Sequence, residues 1–193
     1  MPKIVDHDRY RKELLLKSFN LFAEKGYAAI TMRQIAQGLG VSTGTLYHYF
    51  PSKEVLFEQL VEELADTDIA SFSEIGEGKS IAELAELEFK LIEQNREYFL
   101  KQTLIMADYY QQQRREGKEI SPILRRICDR AEAAMSKILG IDDPNVLLFL
   151  MSYTDGLLLQ ELYGHRKIDY QAQAQLITEM LEVHFEKSKR KER

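Results

Sequence analysis

Apolar residues recur along this chain at helical spacing, and the recurrences are separated by glycine, proline and capping residues. A first helix is predicted over about 9–25, with Leu15, Phe19 and Phe22 on one face and Gly26 followed by Tyr27 at its end. After two short segments discussed below, Ser52 caps a longer helix in which Phe57, Leu60, Val61 and Leu64 keep the i, i+3, i+4, i+7 spacing. Ser80 and Glu83 form a capping box for a helix bearing Leu84, Leu87 and Leu91. A helix over about 98–115 ends at Gly117, and Ser121-Pro122 opens another whose apolar face carries Leu124, Ile127, Cys128, Ala131, Met135 and Ile138. The segment NVLLFLMSYTDGLLLQELY after Asp143-Pro144 is apolar over most of its circumference, so it must be covered on several sides. A last helix over about 170–186 offers Leu176, Ile177, Met180, Leu181 and Phe185. The fold class expected is all-α, with about nine helices: an N-terminal three-helix head and a C-terminal helical bundle.

The densest local signal is TMRQIAQGLGVSTGTLYHYFPSK, residues 31–53. Thr31 and Gln34 make a capping box for one short helix, and Ile30 can staple against Ile35. Ser42 caps a second, with Val41 and Leu46 as its staple, and Gly40 falls where a left-handed residue ends the first helix and turns the chain. Two capped helices around a glycine turn have the shape of a DNA-reading helix-turn-helix. The second helix would lie in the major groove, where small Ser42, Thr43, Gly44 and Thr45 let its backbone approach the base edges. Arg33 is the basic residue of the first helix and the candidate for a bidentate guanine contact; Thr31 and Gln34 are weaker candidates because the cap occupies them. Phe50 belongs to the core.

This segment, with the apolar helix LLLKSFNLF and the break EKGY before it and PSKEVLF after it, resembles the N-terminal domain of the TetR family of transcriptional regulators. The resemblance covers roughly the first quarter to third of the chain, and Lys17-Ser18 departs from the alanines common there. It implies that Tyr47, His48, Tyr49 and Lys53 contact the sugar-phosphate backbone, which fixes register without reading sequence. It also implies a division into a DNA-binding domain, 1–52, and a ligand-binding and dimerisation domain, 53–193. The partners expected are a double-stranded DNA operator, a second copy of the chain, and a small-molecule effector that relieves repression. The last two helices suit packing against their two-fold copy, with Leu158 and Leu181 as candidate seam residues.

The net charge of −5 first argues against a nucleic-acid binder. Its distribution removes the objection: residues 1–60 balance at +2, 61–186 at −11 and 187–193 at +4. An acidic body repels non-specific DNA and leaves the head as the contact surface. The basic tail reads as a solvated helix end. No apolar run is long enough for a membrane span and no secretory leader is seen, so a cytoplasmic protein without membrane partners is expected.

The remaining chemistry is sparse. Cys128 reads as a buried small hydrophobe. His7, His48, His165 and His184 lie far apart, with no metal-ligand spacing, nucleophile elbow, P-loop or dinucleotide fingerprint, so neither an enzyme nor a metal or cofactor is expected. Candidate pocket residues are Phe89, Phe99, Met106, Tyr109, Tyr110, Phe149 and Tyr153, large and on the middle helices, although such a stripe is core more often than pocket. They suit an apolar or aromatic ligand, with Asp108 or Asp155 biasing the site toward cations if either points inward. The rival reading is a helical adaptor whose apolar C-terminal helices bind another protein.

Overall fold

The computed structural model describes residues 6–76, 78–119, 121–164 and 167–191, the side chains of 75 and 187–191 excepted, so the basic tail expected at 187–193 lies outside the described side chains. The described residues form nine helices and no strand: α1 (His7–Lys25), α2 (Met32–Gly38), α3 (Thr43–Tyr49), α4 (Lys53–Gly76), α5 (Ile81–Gln94), α6 (Arg96–Arg115), α7 (Pro122–Leu139), α8 (Pro144–Leu162) and α9 (Tyr170–Lys191). Their starts are where short polar side chains satisfy the orphan backbone donors of a first turn. Asp6 accepts from the Arg9 amide at 3.1 Å, Ser52 from Val55 at 3.1 Å and Asp143 from Asn145 at 2.9 Å. Both predicted capping boxes are formed, Thr31 with Gln34 and Ser80 with Glu83.

The chain packs as two units. The first comprises residues 1–69 and 101–131, the second 70–100 and 132–193. In the first unit Leu15, Phe22, Ile30, Ile35, Leu46 and Phe50 are buried, as their spacing requires. An aromatic cluster extends this core: the Phe57 ring lies 5.2 Å from Phe22, 4.9 Å from Tyr27 and 4.6 Å from Tyr109. Each such pair adds about 0.5–1.5 kcal/mol beyond the area it buries. Gly38 lets α2 lie close to α1, since a Cβ there would stand 2.6 Å from Leu21 Cδ2.

In the second unit Phe89 and Ile92 of α5, Val146, Leu147 and Leu158 of α8, and Tyr170, Ala174, Ile177 and Leu181 of α9 form one buried cluster. Arg96 pairs with the nearly buried Glu161 carboxylate, to which the Tyr170 hydroxyl also donates.

Three expectations about helix faces are corrected. On α5 the buried side is Leu84, Ala85, Phe89 and Ile92, while Leu87 and Leu91 are half-buried; the true face is wider and rotated from the leucine stripe. Cys128 is exposed, because α7 turns Leu124 and Ile127 inward instead. Leu158 and Leu181 are buried within their own unit, so neither stands in a seam with a second copy. On α8 and α9 the apolar side chains left uncovered among the described residues are Leu148, Phe149, Leu159, Leu176, Met180 and Val183.

Candidate nucleic-acid interface and pocket

The turn between α2 and α3 is built entirely from local hydrogen bonds. The Val41 amide donates to the Ala36 carbonyl at 3.0 Å and the Gly40 amide to Gln37 at 3.1 Å, the paired closure of a Schellman motif. Gly40 has φ of +69°, which a side chain would resist. The hydroxyl of Ser42 accepts from the Thr45 amide at 2.9 Å and starts α3.

These bonds divide the predicted contact residues. Thr31 and Gln34 are exposed but engaged with each other at 2.9 Å through the box. The Ser42 and Thr45 hydroxyls also bond each other, at 2.8 Å. Tyr49 is half-buried, its hydroxyl 2.9 Å from His7 Nδ1 and its ring edge-on to Tyr10 at 5.6 Å. Sequence reasoning missed that α1 holds this tyrosine. What remains turned outward is Arg33, Gly44, Tyr47 and His48, with Thr43 half-exposed beside them. Arg33 has no ion pair among the described residues, and Tyr47 is 50% exposed while Phe50 is fully buried. The outward set thus lies on α3 and the facing helix of the pair.

Lys53 is placed differently from a free phosphate contact. Its ammonium donates to the carbonyls of Tyr27 at 2.6 Å and Ile30 at 2.9 Å, with Ala28 at 3.4 Å, and lies 4.5 Å from the centre of the Tyr27 ring. Burial lowers its pKa, against the pull of the Asp108 and Glu116 carboxylates. On the other side of the same turn the Asp108 carboxylate of α6 accepts from the Ala28 amide at 2.9 Å. The turn leading into the helix-turn-helix is therefore clamped by a cation on its carbonyls and an anion on an amide, a pairing no local sequence pattern signals. Lys53→Met should lower stability by about 1–2 kcal/mol, the value of a charge-assisted bond discounted for partial exposure. Urea midpoints at constant slope measure it, and a variant as stable as the parent with weakened DNA binding would make Lys53 a pure phosphate holder.

The predicted pocket residues do not gather in one place. Met106, Tyr109 and Tyr110 belong to the first unit, where Tyr109 is fully buried in the aromatic cluster and its hydroxyl donates to Glu58 at 3.1 Å. Burial raises the Tyr109 phenol far above its ordinary range, and pushes Tyr27 up to about 12. Asp108 faces the Ala28 amide, and Asp155 is exposed. In the second unit Phe99 packs against the core and Phe149 is 41% exposed, its ring stacked at 6.0 Å on Tyr153. Phe89 and Tyr153 do line a pocket, together with Phe72, Met135, Thr154 and a residue the sequence did not single out, Glu88. The enclosed part of the pocket is small, about 20 Å³, the room of roughly one water, and it opens through a mouth that brings its empty space to about 420 Å³. Thr154 donates to the Glu88 carboxylate at 3.1 Å, and burial raises the Glu88 pKa against that bond. Among the described residues no cluster of His, Cys, Asp and Glu can hold a metal ion, and no helix is long and apolar enough to cross a membrane.

A short, glycine-turned pair of capped helices whose second member carries outward hydroxyl, aromatic and imidazole groups has the form of a helix-turn-helix. Residues 14–60 match the model of bacterial regulatory proteins, tetR family. The HTH-type transcriptional repressor KstR2 of Mycobacterium tuberculosis H37Rv is 42% identical over 65 residues, which is 34% of this chain and 32% of KstR2. The chain thus matches about a third of the length of that curated relative. Over nearly the whole chain the fold is that of solved regulators. A regulator from Saccharomonospora viridis in complex with choline has a TM-score of 0.67 at 18% identity, covering 91% of this chain and 96% of its own. FadR of Bacillus subtilis in complex with stearoyl-CoA has a TM-score of 0.65 at 20% identity, covering 88% and 96%. Residues 14–60 are thus similar to the helix-turn-helix region of the tetR family of bacterial regulatory proteins, and over the rest of the chain the likeness is one of fold.

Proposed function

We propose that this regulator is a repressor that holds a roughly palindromic operator as a homodimer and releases it when a small molecule occupies the second unit. In functional terms residues 1–52 bind DNA, and 53–193 bind the effector and dimerise. The observation that carries the reading is the outward set on and beside α3: Arg33, Thr43, Gly44, Tyr47 and His48 stand clear of the core, while the turn behind them is held by its own hydrogen bonds. Arg33 and Thr43 read base edges; Tyr47 and His48 meet phosphate. Thr31, Gln34, Ser42, Thr45 and Tyr49 support the surface, since their polar atoms are engaged within it.

One head buries too little surface for strong discrimination, which two heads on a dimer supply. The uncovered stripes support that dimer: Leu176, Met180 and Val183 lie at i, i+4 and i+7 on α9, and Leu148 and Leu159 three turns apart on α8. Effector binding is supported by the pocket beside Phe89 and Tyr153, and by the solved regulators of this fold that hold choline and stearoyl-CoA. Two such different ligands mean that the fold does not choose the effector; the lining residues must. The protein acts in the cytoplasm, as no catalyst, and requires no cofactor or membrane.

Selection of duplexes from a random pool, followed by titration of the enriched sequence, tests the reading. Arg33→Ala should cost about 1–3 kcal/mol on the selected sequence and relax preference at one position per half-site. Retention that is equal for all sequences and merely salt-sensitive would sink specific recognition.

A further inference from the structure

The second-unit pocket holds an acid in unusual company. Glu88 is half-buried and lines the pocket among aromatic and aliphatic side chains. Its one hydrogen-bond donor among the described residues is Thr154. Among the described residues the lining that reaches it from α4, α7, α8 and α9 includes no lysine, arginine or histidine, and the other titratable group there, the Tyr153 phenol, donates to Gln173. A carboxylate so placed lacks a counter-charge, and a buried charge without one is costly unless a proton or an outside cation neutralises it.

The neighbours decide which outside cation fits. A hydrated divalent ion needs several oxygen ligands, and the lining provides few beyond Glu88. An anion is repelled. A neutral apolar molecule fills the space but leaves the carboxylate without a partner. The rings of Phe72, Phe89 and Tyr153 offer π faces and edges to an alkylated ammonium, which is weakly hydrated and attracted by such faces. We infer that this pocket takes a small organic monocation with an apolar body, its ammonium group set against the Glu88 carboxylate and its body among the aromatic side chains. The inference rests on reading the pocket as the effector site, and it narrows the apolar or aromatic ligand that the aromatic stripe alone suggested.

Burial gives the Glu88 carboxyl a pH signature. The folded chain holds the Glu88 proton more tightly than the unfolded chain, so this group contributes stability in acid that is lost as pH rises through its raised pKa. Binding a cation favours the ionised form, so cation affinity should climb with pH and binding should release a proton on the acid side. Glu88→Gln removes both effects.

Calorimetric titration of the full chain with hexyltrimethylammonium, octanoate and 1-octanol tests the assignment. The ammonium should bind at least about tenfold tighter than the alcohol, and Glu88→Gln should erase that margin while leaving the alcohol unchanged. The Tm of Glu88→Gln should rise relative to the parent as pH increases, which shows that the variant is folded. If octanol or octanoate binds as tightly as the ammonium, or if Glu88→Gln keeps the ammonium affinity, the cation assignment fails and the pocket remains an effector site. If none of the three binds, the pocket is a packing feature and both readings fail.

Discussion

Replacing Leu148 and Val183 together with aspartate should yield a folded monomer that has lost about 10²–10⁴-fold in operator affinity, the range that linking two binding modules contributes. Both side chains are more than half exposed in one chain, at 64% and 51%, so carboxylates there disturb no core. Each would be driven into apolar surface if α8 and α9 pack against their two-fold copy, where an unpaired charge is expensive. The same change at Leu158 or Leu181 would be uninformative, because those residues hold their own unit together. Sedimentation and anisotropy on one sample give both readouts. A variant that stays dimeric with full affinity shows that the stripes are not the seam; a monomer with full affinity shows that one head reads alone.

Tyr109→Ala should be the most damaging single truncation proposed here, costing about 3–5 kcal/mol as a fully buried aromatic side chain is removed. The ring sits 4.6 Å from Phe57 and 4.8 Å from Tyr27, so its loss opens the cluster behind the clamped turn. At roughly 2–4 °C per kcal/mol for a chain of this size, the fall in Tm should be plain. Tyr109→Phe keeps the ring and gives up the bond to Glu58, which should cost only about 1 kcal/mol. Were Tyr109→Ala as stable as the parent but blind to the effector, Tyr109 would be a pocket residue after all, and the aromatic cluster would not be what holds this unit.

Legibility followed range along the chain. The capping boxes at Thr31 and Ser80, and the reversal at Gly40, were readable because donor and acceptor lie within a few residues of one another. The i, i+3 spacing of Tyr47 and Phe50 placed one of the two in the core, and the extended C-cap conformation of Phe50 is what parts it from exposed Tyr47. On α8 the spacing failed. A helix apolar nearly all round has no distinctive periodicity, so the pattern could not separate buried Leu158 from exposed Leu148. Glu88 gave no signal at all, since on its own helix it looks like any solvated acid.

The order of residues alone determined that this chain is helical, where most of its helices begin, and that two of them form a helix-turn-helix pair, because caps and a glycine turn are complete within a short stretch of backbone. Only tertiary structure decided which aromatic residues meet, that Lys53 faces the turn whose Ala28 amide donates to Asp108, and that Glu88 lines a pocket with no basic side chain among the described residues. Those outcomes depend on side chains tens of residues apart filling the same space, and the free energy of excluding water from that space is not written in any one segment.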